Sequence, residues 1–387
     1  MSDRCRIADI TEQIRGVSYK PNDLHKELDE NSVILLRANN IDDGSINFDD
    51  ILYVDTSKVS KNQFLQKGDI LICASSGSKH LVGKAAQVDF EGNYTFGAFC
   101  KVIRPIGISP EYVGLFFQSP NYRKKISDLA QGANINNIKN EHIDNLLLNI
   151  PSANRIKEIT DILQRVSKII LYRKQQLQQL DNLIKARFVE MFGDITINDR
   201  GWDSQPLGEL CTIVRGGSPR PIEKYLGGDV PWIKIGDATE GEDIYLNSTK
   251  EHIIQEGVKK SRLVKKGSLI FANCGVSLGF ARIITFDGCI HDGWLALENI
   301  DKRLDKVFLL QALNQMTDHF RSIAPSGTQP NLNTAIMKAY KQIIPPLEMQ
   351  SSFISFITQI DKSKSVVQKA LDETQLLFDS LMQQYFG

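Results

Sequence analysis

The sequence lacks most of the features from which a function is usually read. No run of about 18 apolar residues occurs, so no membrane span is expected. The opening residues, MSDRCRIADITEQIRG, have no apolar core of a secretory signal, and the cytoplasm is the expected location. Six cysteines, at 5, 73, 100, 211, 274 and 289, never form a CxxC pair. That argues against a zinc site or redox motif and for buried thiols in a reducing compartment. No GxxxxGK[ST] phosphate cradle occurs; the nearest approach, Gly77 to Lys84, has the wrong spacing and runs into Ala85. A GxGxxG after a strand is missing. So is the Asn/Asp-Pro-Pro-aromatic tetrapeptide of amino-methyltransferases, the only Pro-Pro being Pro345-Pro346 after Ile344. The six histidines never reach a convincing metal-ligand spacing. Neither sign of charge dominates: 46 Lys+Arg balance 46 Asp+Glu. No catalytic residue, metal or cofactor is expected in the chain.

What is present is a repeat. With 387 residues, 42% hydrophobic, the chain has material for two packed domains. Phe192-Gly193 returns as Phe386-Gly387, and the same offset of 194 residues carries Ile150-Pro151 onto Ile344-Pro345 without a gap. Over this stretch the periodicity persuades more than the identity. Ile156, Leu163, Ile170, Leu177, Ile184 and Met191 recur every seven residues, with Ile159, Val166 and Leu180 three residues after members of that series. The second copy places Ile357, Leu371, Phe378 and Tyr385 at one heptad position and Phe353, Ile360, Val367 and Leu381 at the other. Arg173, Arg187, Gln350 and Lys364 interrupt the two seams. The spacing predicts long amphipathic helices over about 155–192 and 347–386, each roughly 55–60 Å long and packed against the other.

The intervening regions repeat more loosely. LQKGDILICASSG (65–77) parallels VKKGSLIFANCG (264–275), and AQGANINNIKNEHID (130–144) parallels APSGTQPNLNTAIMK (324–338). SVILLRANNIDDGSI (32–46) parallels DVPWIKIGDATEGEDI (229–244). The expected architecture is mixed α/β: a globular domain over 1–150, a helix over 151–194, a second domain over 195–342 and a second helix over 343–387. The helices form an antiparallel coiled coil and the halves a pseudo-twofold tandem repeat.

Two similar readers on a stiff spacer suit a two-part DNA target, because amide and guanidinium side chains recognise base edges in the major groove. In the first domain the candidates are Arg37, Asn39 and Asn40, then Ser75, Ser76, Lys79, His80 and Lys84, then Asn134, Asn136, Asn137 and Lys139. In the second they are Arg215, Arg220, Lys224, Lys234, Asp237, Asn273, Gln329, Asn331 and Asn333. The competing reading of each is a turn-forming residue. HDGW, His291 to Trp294, is the one arrangement that suggests an acid–base pair; a structural or DNA-facing role is expected for it and for Cys274. Residues 1–150 carry 17 basic and 19 acidic side chains, and 195–342 carry 18 and 17. The chain alone would therefore grip phosphates weakly, and a partner is expected to supply much of that grip.

RGGSPRPIEKYLGGDVPWIKIGDATEGEDIY (215–245), KKGSLIFANCGVSLGFARI (265–283) and SGTQPNLN (326–333) resemble the target-recognition domains of type I restriction–modification specificity subunits. IPPLEMQSSFISFITQID (344–361) resembles the start of the helix that follows such a domain. The first domain departs from the pattern, with LRANNIDDGSI in place of WIKIGDATEGEDI and no GGSP turn. The resemblance implies a non-catalytic subunit that binds double-stranded DNA. It also implies two methyltransferase subunits carrying S-adenosylmethionine-dependent adenine-N6 methylation, and two restriction subunits carrying ATP- and magnesium-dependent translocation and cleavage. An orphan subunit acting only with a methyltransferase, and a coiled-coil adaptor without DNA specificity, remain the alternatives. If the helices act as a spacer, inserting seven residues into both lengthens the unread gap between the half-sites. A binding selection that returns the original gap would contradict this.

Overall fold

The computed structural model describes residues 3–42, 44–78, 81–129, 136–239, 244–275, 277–325 and 330–387. The chain is mixed α/β and forms two compact units: Met1–Gln175 with Gln368–Gly387, and Gln176–Val367.

In the first unit an antiparallel sheet runs in the order Ala85–Gln87, Ile70–Cys73, Cys100–Pro105, Thr11–Arg15. The strand ILIC is apolar throughout and buried throughout, as a strand covered on both faces must be. Cys100 lies opposite Cys73 and Lys101 opposite Arg15. A second sheet sets Ser32–Leu36 between Tyr94–Phe96, which is parallel to it, and Leu52–Asp55, which is antiparallel. Helix Pro110–Gln118 follows, started by proline in its first turn and by the Ser109 hydroxyl, which accepts from Tyr112 N–H at 3.2 Å.

The second unit repeats this plan. Thr212–Arg215, Trp294–Glu298, Leu269–Ala272, Ala281–Ile284 and Tyr245–Leu246 form one sheet, with Leu295 opposite Arg215 and Trp294 opposite Ala272. Leu226–Ile233 again pairs in parallel with a strand much later in the chain, Gly288–Ile290. Helix Lys306–Gln315 is capped by Asp305, which accepts from Val307 N–H at 2.7 Å.

The two long helices are Ala153–Phe192 and Leu347–Phe386. In the first unit Ile156, Ile159 and Leu163 share a core with Met382 and Phe386, with Phe378, Leu381 and Tyr385 packed against it. In the second, Ile184, Phe188 and Phe192 share a core with Phe353, Ile357 and Ile360, with Leu180 and Met191 packed against it. The start of each helix thus meets the end of the other, and the pair is antiparallel. The repeated Phe-Gly now has a physical reading. Phe192 is fully buried 4.9 Å from the Phe308 ring, and Phe386 is buried 5.2 Å from the Tyr112 ring. Gly193 adopts φ +79°, and a Cβ there would lie 1.9 Å from Asp199 Oδ1, so only glycine ends the first helix in this way.

Along the seam Val166, Ile170 and Leu371 are buried, while Leu177 and Val367 are half-buried. The polar interruptions act as ties. The Arg173 guanidinium donates to the Ala370 carbonyl and the Thr374 hydroxyl, and Lys364 pairs with Asp181 at 2.5 Å. Arg187 pairs with Glu190 at 2.8 Å and lies over the Phe356 ring. Gln350 is fully buried and bonds three backbone groups: it accepts from Asp305 N–H at 2.8 Å and donates to the carbonyls of Arg303 and Pro345 at 2.8 and 2.7 Å.

Phe192→Ala should lower unfolding free energy by about 3–5 kcal/mol, as for other fully buried phenylalanines. Leu183→Ala, at a position 46% exposed, should cost far less. Equal urea midpoints for the two variants would refute the role assigned to the helix end.

Candidate nucleic-acid interface

In each unit the first strand of the main sheet ends in Arg-Gly: Arg15-Gly16 in one, Arg215-Gly216 in the other. A Cβ on Gly16 would lie 2.1 Å from the Gly97 carbonyl oxygen, and one on Gly216 would lie 2.2 Å from that of His291. Glycine is therefore required, and the close approach sets each arginine beside a turn, Gly97-Ala98-Phe99 or His291-Asp292-Gly293.

Those turns are held alike. Gly97 N–H donates to the Leu36 carbonyl at 2.9 Å and His291 N–H to that of Ile233 at 3.0 Å. The Phe99 carbonyl accepts from Ala74 and Ser75, and the Gly293 carbonyl accepts from Asn273. Ala74 and Asn273 in turn accept from Ile138 and Leu332 N–H, both at 2.8 Å, which brings in Asn137 with Lys139 and Asn331 with Asn333. Arg37 and Lys234 follow the adjacent strands. The first-turn acceptor differs in type but not in role: Asn40 Oδ1 accepts from Arg37 N–H and Asp237 Oδ2 from Lys234 N–H, both at 2.8 Å. LRANN and WIKIGD thus build one turn from different side chains.

The functional groups around this common frame differ. In the first unit Arg15, Ser75, Phe99, Asn137 and Lys139 border a cleft of about 500 Å³. Lys101 donates to the Ile138 carbonyl at 3.1 Å and to Asn140 Oδ1 at 2.5 Å, and burial holds its amine below the usual lysine range. In the second unit Asp292 is the hub. Its carboxylate accepts from the Ser218 hydroxyl at 2.7 Å, meets His291 Nε2 at 2.9 Å and lies 3.5 Å from Arg220. Its backbone carbonyl accepts from Arg215 Nε at 2.9 Å. Burial pushes the Asp292 carboxyl up, but Ser218, His291 and the two arginines outweigh it and hold the group below its ordinary value. Burial likewise lowers His291, with Asp292 opposing and Lys234, Arg220 and Arg215 reinforcing. The His291 ring lies 5.6 Å from that of Trp232.

Several expected residues have internal work. Arg37 pairs with Asp50 at 2.8 Å, and Asn39 donates to the same carboxylate at 3.2 Å. Asn40 is fully buried and donates to the Asp49 carbonyl. Lys234 forms an ion pair with Glu251, and Asp237 also accepts from the Thr249 hydroxyl at 2.7 Å. Asn273 is buried and donates to Asn331 Oδ1 at 3.0 Å; Asn333 caps helix Thr334–Ala339 by accepting from Ile336 N–H. The Ser76 hydroxyl accepts from Ser78 N–H, Lys139 lies 3.3 Å from Glu141, and Lys84 is half-buried with its carbonyl bonded to Cys73. Lys224 closes the turn Ile222–Lys224 beside Tyr225. Asn136 pairs with Ser76 through its backbone. Lys79, His80, Asn134 and Gln329 lie outside the described residues.

The frame also brings in Arg15, Phe99 and Ser218, which the sequence alone does not single out. The available signal was the tripeptide pair Ile14-Arg15-Gly16 and Val214-Arg215-Gly216, whose equivalence the shared close approach makes plain. Among the described residues no group of three or more His, Cys, Asp or Glu is placed to hold a metal ion, and no helix is long and apolar enough to cross a membrane.

Comparison with known proteins finds the type I restriction modification DNA specificity domain twice, over residues 5–182 and 199–374. The StySPI specificity subunit of Salmonella potsdam is 28% identical, and the EcoKI specificity subunit of Escherichia coli K12 is 26% identical. Each alignment covers 97% of this chain and 86% of the relative. Among solved structures, a chain described in connection with assembly and conformational transition of the type I R-M system matches with TM-score 0.58 and 16% identity, covering 99% of this chain and 97% of its own. The S subunit from M. genitalium matches with TM-score 0.52 and 15% identity, covering 100% and 96%.

Because both Arg-Gly turns leave no room for a methyl group, Gly16→Ala and Gly216→Ala should each destabilise their unit by about 1–3 kcal/mol, the range for overpacking. Denaturant unfolding checks this, and an unchanged midpoint for either variant would break the equivalence of the two turns.

Proposed function

The chain belongs to the type I restriction–modification DNA specificity family, carrying the domain twice, and we propose that it reads a two-part DNA target, one part with each unit. The observation that carries this reading is the common frame just described, fitted with different chemistry in each copy. Gly97-Ala98-Phe99 hangs on the same backbone hydrogen bonds as His291-Asp292-Gly293, Ser75 stands where Cys274 stands, and Arg37 where Lys234 stands. Equivalent placement with unequal side chains is what two readers of unequal half-sites need. Residues 1–150 read one part and 195–342 the other.

Within each reader we assign Arg15 and Arg215 to phosphate or guanine, and the amides of Asn137 and Asn331 to base edges. Asp292 suits the amino group of cytosine, its carboxylate being kept ionised by its neighbours. Arg37, Asn40, Lys234, Asp237, Asn273 and Asn333 shape the loops that present these groups. The reacting chemistry belongs to partners: two methyltransferase subunits with S-adenosylmethionine for adenine-N6 methylation, and two restriction subunits with ATP and magnesium for cleavage. This complex acts in the cytoplasm.

Single-molecule sequencing of modified bases in DNA from cells expressing the chain with its methyltransferase subunit should reveal N6-methyladenine in a two-part motif with a fixed gap. Replacing residues 195–342 with those of a relative should change one part and leave the other. A complex that assembles and binds S-adenosylmethionine yet leaves no methylated motif would defeat the reading.

A further inference from the structure

The two equivalent turns differ most at their third residue. In the first unit this is Phe99, which is 68% exposed. Its carbonyl accepts from Ala74 N–H at 2.9 Å and Ser75 N–H at 3.0 Å, so the backbone that presents the ring is fixed. In the second unit the position is Gly293. A Cβ there would lie 2.8 Å from Ile235 Cδ1 and 3.0 Å from Cys274 Sγ, so a side chain would have to displace both, and the neighbouring Asp292 supplies a carboxylate instead.

An exposed phenylalanine alone identifies nothing. Its surroundings do. Arg15, Lys139, Asn137 and Gln13 border the same cleft as Phe99. Gln13 donates through Nε2 to the Asn140 carbonyl and Asp144, and among the described residues its Oε1 is buried and meets no donor. Cations and amides around one ring match phosphates and base edges better than an apolar protein surface, whose centre is depleted in charge. The major-groove edge of DNA offers one apolar group, the 5-methyl of thymine. Resting on the reading that this unit binds DNA, we propose that Phe99 determines specificity in the first part of the target by contacting a thymine 5-methyl group. At the equivalent position the second unit carries Gly293, which has no side chain to make this contact.

The test uses the full chain assembled with its methyltransferase subunits and selected against random duplexes. The wild-type complex should return a two-part motif, and Phe99→Ala should relax one thymine position in one part while leaving the other part intact. That intact part reports that the variant folds and assembles. Deoxyuridine at the same position removes only the methyl group. It should weaken wild-type binding about fourfold, the worth of one buried methylene-sized group, and leave Phe99→Ala binding unchanged. Phe99→Leu, still apolar, should keep most of the discrimination. The proposal fails if Phe99→Ala returns the wild-type motif, or if the wild-type complex binds thymidine and deoxyuridine duplexes equally. It also fails if Phe99→Ala instead loses the methyltransferase subunit with its motif unaltered, which would make the ring a protein contact. A wild-type complex that selects no motif at all would overturn the DNA reading itself.

Discussion

An amphipathic helix of forty residues has no stable place in water until its apolar stripe is covered, and the covering found here governs the rest of the molecule. Each long helix contributes its terminal turns to the core of a globular unit instead of merely leading away from it. Phe188 and Phe192 meet Phe308 and Phe353 in one unit; Phe386 meets Tyr112 and Phe116 in the other. Removing a helix end would therefore open a core as well as shorten a rod. Because the helix after the sheet is engaged in this way in both copies, both sheets are held by the same device. The strand ends that carry Arg15 and Arg215 are then presented from equivalent scaffolds.

Much of the fold was legible in the sequence because helical periodicity is a strong local signal. The heptads between Ile156 and Met191, and between Phe353 and Tyr385, together with the flanking proline and glycine, placed both helices. The polar breaks in the seam were visible as breaks, but their use was not. That Gln350 would satisfy three backbone groups, or that Arg173 would reach Ala370 and Thr374, depends on which turns of the partner helix lie opposite, a long-range fact.

The local work of the nominated side chains was not legible in the sequence. Asn, Arg and Lys were nominated by type, and type does not separate a base-reading amide from a turn-building one. Asn40 and Asn273 proved to be buried braces, and Asn333 a helix cap. Arg15 escaped notice because its equivalence to Arg215 rests on a steric identity, the glycine pressed against the carbonyl of residue 97 or 291, that no composition reveals. Phe99 escaped because a search for polar chemistry passes over an aromatic ring. The contrast with Gly293 emerges only once both turns are hung on the same hydrogen bonds.

The balanced charge of the chain, which gives it only a weak grip on phosphates, acquires a use in this arrangement. Four cations near the frame are held against acids: Arg37 with Asp50, Lys234 with Glu251, Arg220 with Asp292 and Lys139 with Glu141, while Arg215 donates to the Asp292 backbone carbonyl. Exposed pairs of this kind are worth only about 0–1 kcal/mol, so a phosphate can exchange into them at small cost when the geometry around it is right. Away from a matching site the acids remain, and they oppose the indiscriminate phosphate attraction that dominates non-specific binding. Selectivity over a genome depends on the ratio of specific to non-specific affinity more than on either alone. Pairing those cations lowers the denominator of that ratio, and near-neutrality is then a property suited to reading DNA.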